Sequence, residues 1–68
     1  MADSVFKKVE LVGTSSQSFS SAVANAIAKA SESIRNMSWF EVVESRGSIQ
    51  DGSIAQYQVT VRIGFRVE

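Results

Sequence analysis

The chain has no cysteine and no histidine among its 68 residues. Without cysteine there is no disulfide and no thiolate metal site to staple the fold. Without histidine the commonest general base and the commonest metal ligand are both missing. Charge of one sign is also missing: seven basic and seven acidic residues cancel, and they are scattered along the chain. That argues against a nucleic-acid binder working through counterion release. No apolar run approaches the ~20 residues that a membrane span needs. Met1-Ala2-Asp3-Ser4 lacks the basic and apolar regions of a signal peptide. The expectation is a cytoplasmic protein with no metal site, no membrane and no nucleic-acid partner.

What is present is one small domain over residues 1–68 that is 44% hydrophobic. A domain this size buries only roughly 60% of its unfolded surface. Small domains without disulfides or metals often gain stability by oligomerising, so a homo-oligomer is expected.

Val5–Val12 reads as a first strand with imperfect alternation, Phe6, Lys8, Glu10 and Val12 on one side and Val5, Val9 and Leu11 on the other. Gly13-Thr14-Ser15-Ser16-Gln17-Ser18 ends it and offers N-cap hydroxyls. Thr14 with Gln17 would make a capping box, and Ser15, Ser16 or Ser18 would serve equally. A helix then runs to about Asn36, because Phe19, Val23, Ile27, Ala30, Ile34 and Met37 recur on a period near 3.6. Its remaining alanines keep the surface small enough for close approach by a neighbour. Trp39–Ile49 reads as a second strand, Asp51-Gly52 as a type I′ hairpin turn, and Ile54–Val67 as a third strand. Direction then fixes topology. The third strand is antiparallel to both others and lies between them. The fold class is α+β, strand-helix-strand-strand, with a three-stranded antiparallel sheet of order 1-3-2 wrapped on one helix.

The two-residue turn sets a register in which Phe40 opposes Ile63, Val42 opposes Val61, Glu41 opposes Arg62, Ser45 opposes Gln58 and Trp39 opposes Gly64. Phe40 then faces the helix, with Phe19, Val23, Ile27, Ile34 and Phe65 as core. Trp39, Gln58, Arg62 and Arg66 face away from it, with Trp39 near Gln58 and with room beside the indole over Gly64. Glu41 and Arg62 form an ion pair. Glu41 and Glu44 fall on opposite faces, so they make no acid–base pair, and no nucleophile has an evident base. No catalytic residue is assigned and the chain does not read as an enzyme. Leaving the indole in water forgoes roughly 5 kcal/mol as an upper estimate, from ~200 Å² at ~25 cal/mol/Å². A subunit interface or a planar ligand would cover it. Gln58 can donate and accept at once, which suits a ring edge carrying both C=O and N–H. Arg66 can grip phosphate through a bidentate fork.

Three stretches resemble the dodecin family: Phe6-Lys7-Lys8-Val9-Glu10-Leu11-Val12-Gly13-Thr14-Ser15, then Asn36-Met37-Ser38-Trp39-Phe40-Glu41-Val42, then Tyr57-Gln58-Val59-Thr60-Val61 with Gly64-Phe65-Arg66-Val67. The resemblance covers essentially the whole chain. It implies a hollow homododecamer that binds flavins in pairs at two-fold interfaces, for storage, buffering or photoprotection. Trp39 matches the indole that stacks on the isoalloxazine ring, and Gln58 the amide on its pyrimidine edge. Arg46 and Arg66 match arginines that approach the flavin and its phosphate, which favours FMN over riboflavin or FAD. In the register above Arg46 falls on the face without Trp39, so it needs a bulge or another subunit's site. Some members also bind coenzyme A, for which Lys7, Lys8 and Lys29 are candidates by charge alone. A coenzyme A-binding or purely structural oligomeric module is the rival reading.

Overall fold

A computed structural model describes residues 3–68. Strand β1 spans Val5–Ser15, helix α1 Phe19–Ala30, strand β2 Met37–Gln50 and strand β3 Ser53–Val67. The sheet has the order β1-β3-β2 and is antiparallel throughout, as the chain directions require.

Strand β1 is longer than its alternation predicts. Gly13, Thr14 and Ser15 stay paired with Val59, Gln58 and Tyr57. Gly13 does not end the strand; it is where the helix comes down on it. A Cβ there would lie 2.1 Å from the Ala22 carbonyl oxygen and 2.8 Å from the Ala26 Cβ. Only glycine permits that approach. The cap is Ser18, whose hydroxyl accepts from the Ser21 N–H at 3.0 Å. Ser15 takes a different task and accepts from the Gln17 N–H at 2.9 Å.

The helix ends at Ala30 and not near Asn36. Beyond it the Lys29 and Ala30 carbonyls accept from Glu32 and Ser33 N–H groups at 3.2 and 3.0 Å, the tighter spacing of a closing turn. Asn36, at φ 62°, sits in the left-handed region and swings the chain into β2. Ile34 and Met37 keep the helical period by position and still pack against the core, which is why their spacing reads as helix.

The buried core is Ala22, Ala26 and Ala30 of α1 against Val59, Val61 and Ile63 of β3. The alanines therefore face the sheet, and the larger residues of the predicted stripe flank them. Close packing on Gly13 leaves room only for methyl groups along that line. Phe19 is displaced to the rim, where it is exposed and meets Tyr57 edge-on at 4.9 Å. Phe65 is only half-buried.

Helix α1 lies over β1 and β3 and leaves β2 bare. No residue of β2 is buried. Phe40 opposes Ile63 and Val42 opposes Val61, as the turn predicts, yet they are 48% and 51% exposed. The protomer measures 57 × 20 × 13 Å with a radius of gyration of 14.3 Å; a compact chain of this length would have about 11 Å. Phe6, Phe40, Val42, Val43, Ile49 and Ile54 all stay exposed. Further copies of the chain are the natural cover for so much apolar surface on so small a protomer.

Candidate functional site

The sheet face away from the helix carries the candidate residues, and hairpin β2–β3 sets their places. Asp51 and Gly52 have φ of 53° and 76°, both positive as a type I′ turn requires. Gln50 pairs with Ser53 and Ile49 with Ile54. The ladder then shifts. Ser48 pairs with Gln56, so Ala55 is an extra residue on β3. A second shift lies between Val42 and Glu44, where Val43 is extra on β2. The two insertions fall on opposite strands and cancel. Trp39 therefore opposes Gly64, Phe40 Ile63 and Glu41 Arg62, as the turn predicts.

Between the bulges every partner differs from the prediction. Ser45 opposes Val59, not Gln58, and Arg46 takes the place opposite Gln58. This bulge brings Arg46 onto the Trp39 face. Its Nε donates to Gln58 Oε1 at 2.8 Å, and Gln58 Nε2 donates to Gln56 Oε1 at 2.8 Å. The Gln58 amide is thus held in one orientation from both ends. Glu44, opposite Thr60, shares this face with Glu41 and lies 3.8 Å from Arg46 Nη1. The two glutamates are not on opposite faces, since Val43 absorbs one step of the alternation.

At the other end the Trp39 indole lies on Gly64. A Cβ on Gly64 would sit 2.2 Å from Cε2 and 2.3 Å from Cζ2 of the indole. The missing side chain makes room for the indole itself, not for space beside it. Phe6 of β1 closes one side, its ring centroid 4.9 Å from the indole at 53°. Trp39 remains 41% exposed. Phe6 escapes a reading based on the hairpin alone. Its signal is the β1 alternation, which puts it on the side of Lys8 and Glu10, opposite Arg66.

The predicted Glu41–Arg62 pair is replaced by two pairs that use β1. Lys8 Nζ donates to Glu41 Oε1 at 2.6 Å, and Arg62 Nε to Glu10 Oε1 at 2.9 Å. Arg62 sits between Glu41 and Glu10 in one row, and β1 supplies the better-placed acid. The hydrogen bond and charge of Lys8, helped by the charge of Arg62, hold the Glu41 carboxyl below its usual range.

The residues expected together form two clusters. Gly64, under Trp39, and Gln58, beside Arg46, are six residues apart on β3, or about 20 Å at ~3.3 Å per residue. Arg66 is two residues past Gly64, about 7 Å along the strand. Trp39, Phe6 and Arg66 thus mark one end of the face, and Arg46, Gln58 and Gln56 the other.

An α+β protomer with a helix on one sheet face, an aromatic and polar surface on the other and abundant uncovered apolar area defines a small binding module built to assemble. The chain belongs to the dodecin family, whose model, described as Dodecin, matches residues 5–68. Dodecins are small, oligomeric, non-enzymatic proteins that bind flavins. The chain is 47% identical over 64 residues to the dodecin of Thermus thermophilus, covering 94% of this chain and 93% of that one. Dodecin from Streptomyces coelicolor superposes with a TM-score of 0.95 at 43% identity, over 100% of this chain and 97% of that chain. Dodecin from Streptomyces davaonensis gives 0.94 at 42% identity, over 98% of each. Among the described residues no helix is long and apolar enough to cross a membrane.

Proposed function

We propose that this protein sequesters FMN, stacking the flavins in pairs between Trp39 side chains at subunit interfaces of a hollow dodecamer. The observation that carries this reading is the indole. Trp39 is pressed onto Gly64 and buttressed by Phe6, yet 41% exposed. A large aromatic held in place and left open is a stacking platform.

The two-cluster geometry adds a requirement. A flavin ring is shorter than the ~20 Å between Gly64 and Gln58 on one strand. An indole and a Gln58 amide on the same flavin therefore come from different protomers, with Arg46 fixing the amide. The interface and the ligand then cover Trp39 together. A flavin against an indole is quenched by electron transfer after excitation, so the assembly stores flavin and dissipates the light it absorbs. The protein works in the cytoplasm as a buffer for flavin, without turnover.

Titration of FMN with purified apoprotein tests this. Flavin emission falls as protein is added. Unchanged emission at micromolar protein would refute the reading. Trp39→Ala weakens binding by about 5- to 150-fold, from the ~1–3 kcal/mol of an aromatic stacking contact. The particle mass by light scattering stays the same.

A further inference from the structure

Phe6 is the one aromatic residue of β1. It is 43% exposed and takes no part in the buried core. Its ring nevertheless meets the Trp39 indole, although β3 lies between their strands. To make that contact the indole reaches from β2 across Gly64 toward β1. Gly64 stands between Trp39 and Lys8 in one row of the sheet. Phe6 and Lys8 are two residues apart on the same side of β1. Lys8 leaves the way open, because its ammonium is drawn to Glu41 at 2.6 Å, on the side of that row away from Phe6.

The two neighbours of the indole supply different things. Gly64 supports it from beneath, since a Cβ there would fall 2.2 Å from Cε2. Having no side chain, Gly64 offers nothing at the edge of the ring. An indole on its broad terminal torsion can pivot on such a support. Phe6 supplies the contact at the side. A centroid distance of 4.9 Å and a tilt of 53° lie in the range where aromatic pairs attract.

From this arrangement we infer that Phe6 is a positioning residue of the flavin platform, holding the Trp39 indole at one tilt over Gly64 before any ligand arrives. This role rests on the stacking role of Trp39 and adds the residue that prepares it. Phe6 acts through the indole and not on the ligand. Ordering a large side chain on binding costs affinity, and a side chain already held in place avoids that cost. Strand β1 is thereby part of the site, although the hairpin alone carries the indole and its seat.

Trp39 is the only tryptophan of the chain, so tryptophan fluorescence of the apoprotein reports on it alone. Time-resolved anisotropy is recorded without flavin for the wild type, Phe6→Ala, Phe6→Leu and Phe6→Tyr. FMN is then titrated into each, and into Trp39→Ala with and without Phe6→Ala. Phe6→Ala and Phe6→Leu raise the amplitude of fast local depolarisation and weaken FMN by about 2- to 12-fold, the equivalent of the ~0.5–1.5 kcal/mol of an aromatic pair. Phe6→Tyr restores both properties. On the Trp39→Ala background Phe6→Ala weakens FMN no further, because a residue that acts through the indole has nothing to act on without it. Unchanged depolarisation in Phe6→Ala and Phe6→Leu overturns the inference. So does a loosened indole with unaltered FMN affinity, or equal weakening with and without Trp39. Phe6→Leu keeps the apolar bulk and carries the test alone if Phe6→Ala changes the particle mass. A wild type that binds no flavin refutes the stacking reading instead, and the anisotropy then decides by itself whether Phe6 holds the indole.

Discussion

The two ends of the outer face were reached by the same hairpin and teach opposite lessons about it. Trp39 lies twelve residues from the turn residue Asp51, yet it stands opposite Gly64 as a plain two-residue turn predicts. Arg46 is far closer to the turn and stands one place off its predicted partner. Distance from the turn is not what decides. The Arg46 end lies between two bulges, one on each strand, and the Trp39 end lies beyond both. Each bulge slips the ladder by one residue, and a one-residue slip exchanges the faces. Two on opposite strands restore the faces outside and exchange them only between. The result is candidate binding surface at both ends. Trp39 is outward because the Val43 and Ala55 bulges cancel, and Arg46 is outward because only one of them lies between it and the turn.

The largest expected effect breaks the Trp39 end. Gly64→Val places a Cβ where the indole now lies, 2.2 Å from Cε2. The indole must leave Gly64, and FMN affinity falls by about 100-fold or more, that is ~2.7 kcal/mol. Flavin fluorescence titration measures this. An affinity within about 3-fold of the wild type would show that the seat on Gly64 does not matter. The corresponding break at the other end is smaller. Gln58→Glu keeps an acceptor for Arg46 but removes the amide donor. The variant loses about 5- to 10-fold in FMN affinity, from the ~1–1.5 kcal/mol of one hydrogen bond. If Gln58→Glu binds as well as the wild type, the Arg46–Gln58 end does not touch the flavin.

What could be read from the chain follows the same division. Strand order, hairpin turn and the outward Trp39 were legible because each depends on chain direction or on counting from Asp51-Gly52. The bulges were not. Val43 and Ala55 are ordinary strand residues, and nothing local marks either as unpaired. The helix face was misread for a related reason. Phe19, Val23 and Ile27 are the bulky periodic residues, but the strand approaches so closely at Gly13 that alanines occupy the contact. Glycine read as punctuation hid glycine as a packing surface. The lost Glu41–Arg62 pair shows a third limit, since hairpin register says nothing about acids and bases that the far edge strand brings to the same rows.

A milder perturbation tests the charge row that separates the ends. The hydrogen bond and charge of Lys8 hold the Glu41 carboxyl below the usual carboxylate range. A carboxyl depressed by folding contributes stability above its unfolded pKa and loses it as pH falls through the lower folded value. Acidification from about pH 6 to about pH 3 therefore lowers the melting temperature, and Lys8→Gln reduces that decline. The change is small because both side chains are about half exposed. An identical acid profile in Lys8→Gln would show that the pair does not persist in solution.

The smallest expected effect is the sharpest test of the comparison itself. Val43 is the extra residue on β2, with Val42 paired to Val61 and Glu44 to Thr60. Deleting Val43 makes Val42 and Glu44 consecutive, opposite two consecutive residues of β3. No pair on either side changes. Trp39 stays outward over Gly64 and Arg46 stays opposite Gln58. FMN affinity then remains within about 3-fold of the wild type, a change under ~0.7 kcal/mol. In an unbulged hairpin the same deletion would act very differently. It would slip residues 37–42 by one place against β3, turn Trp39 to the helix side and abolish stacking. Retained flavin quenching in the Val43 deletion thus requires the bulge, and loss of quenching in a folded deletion variant contradicts it.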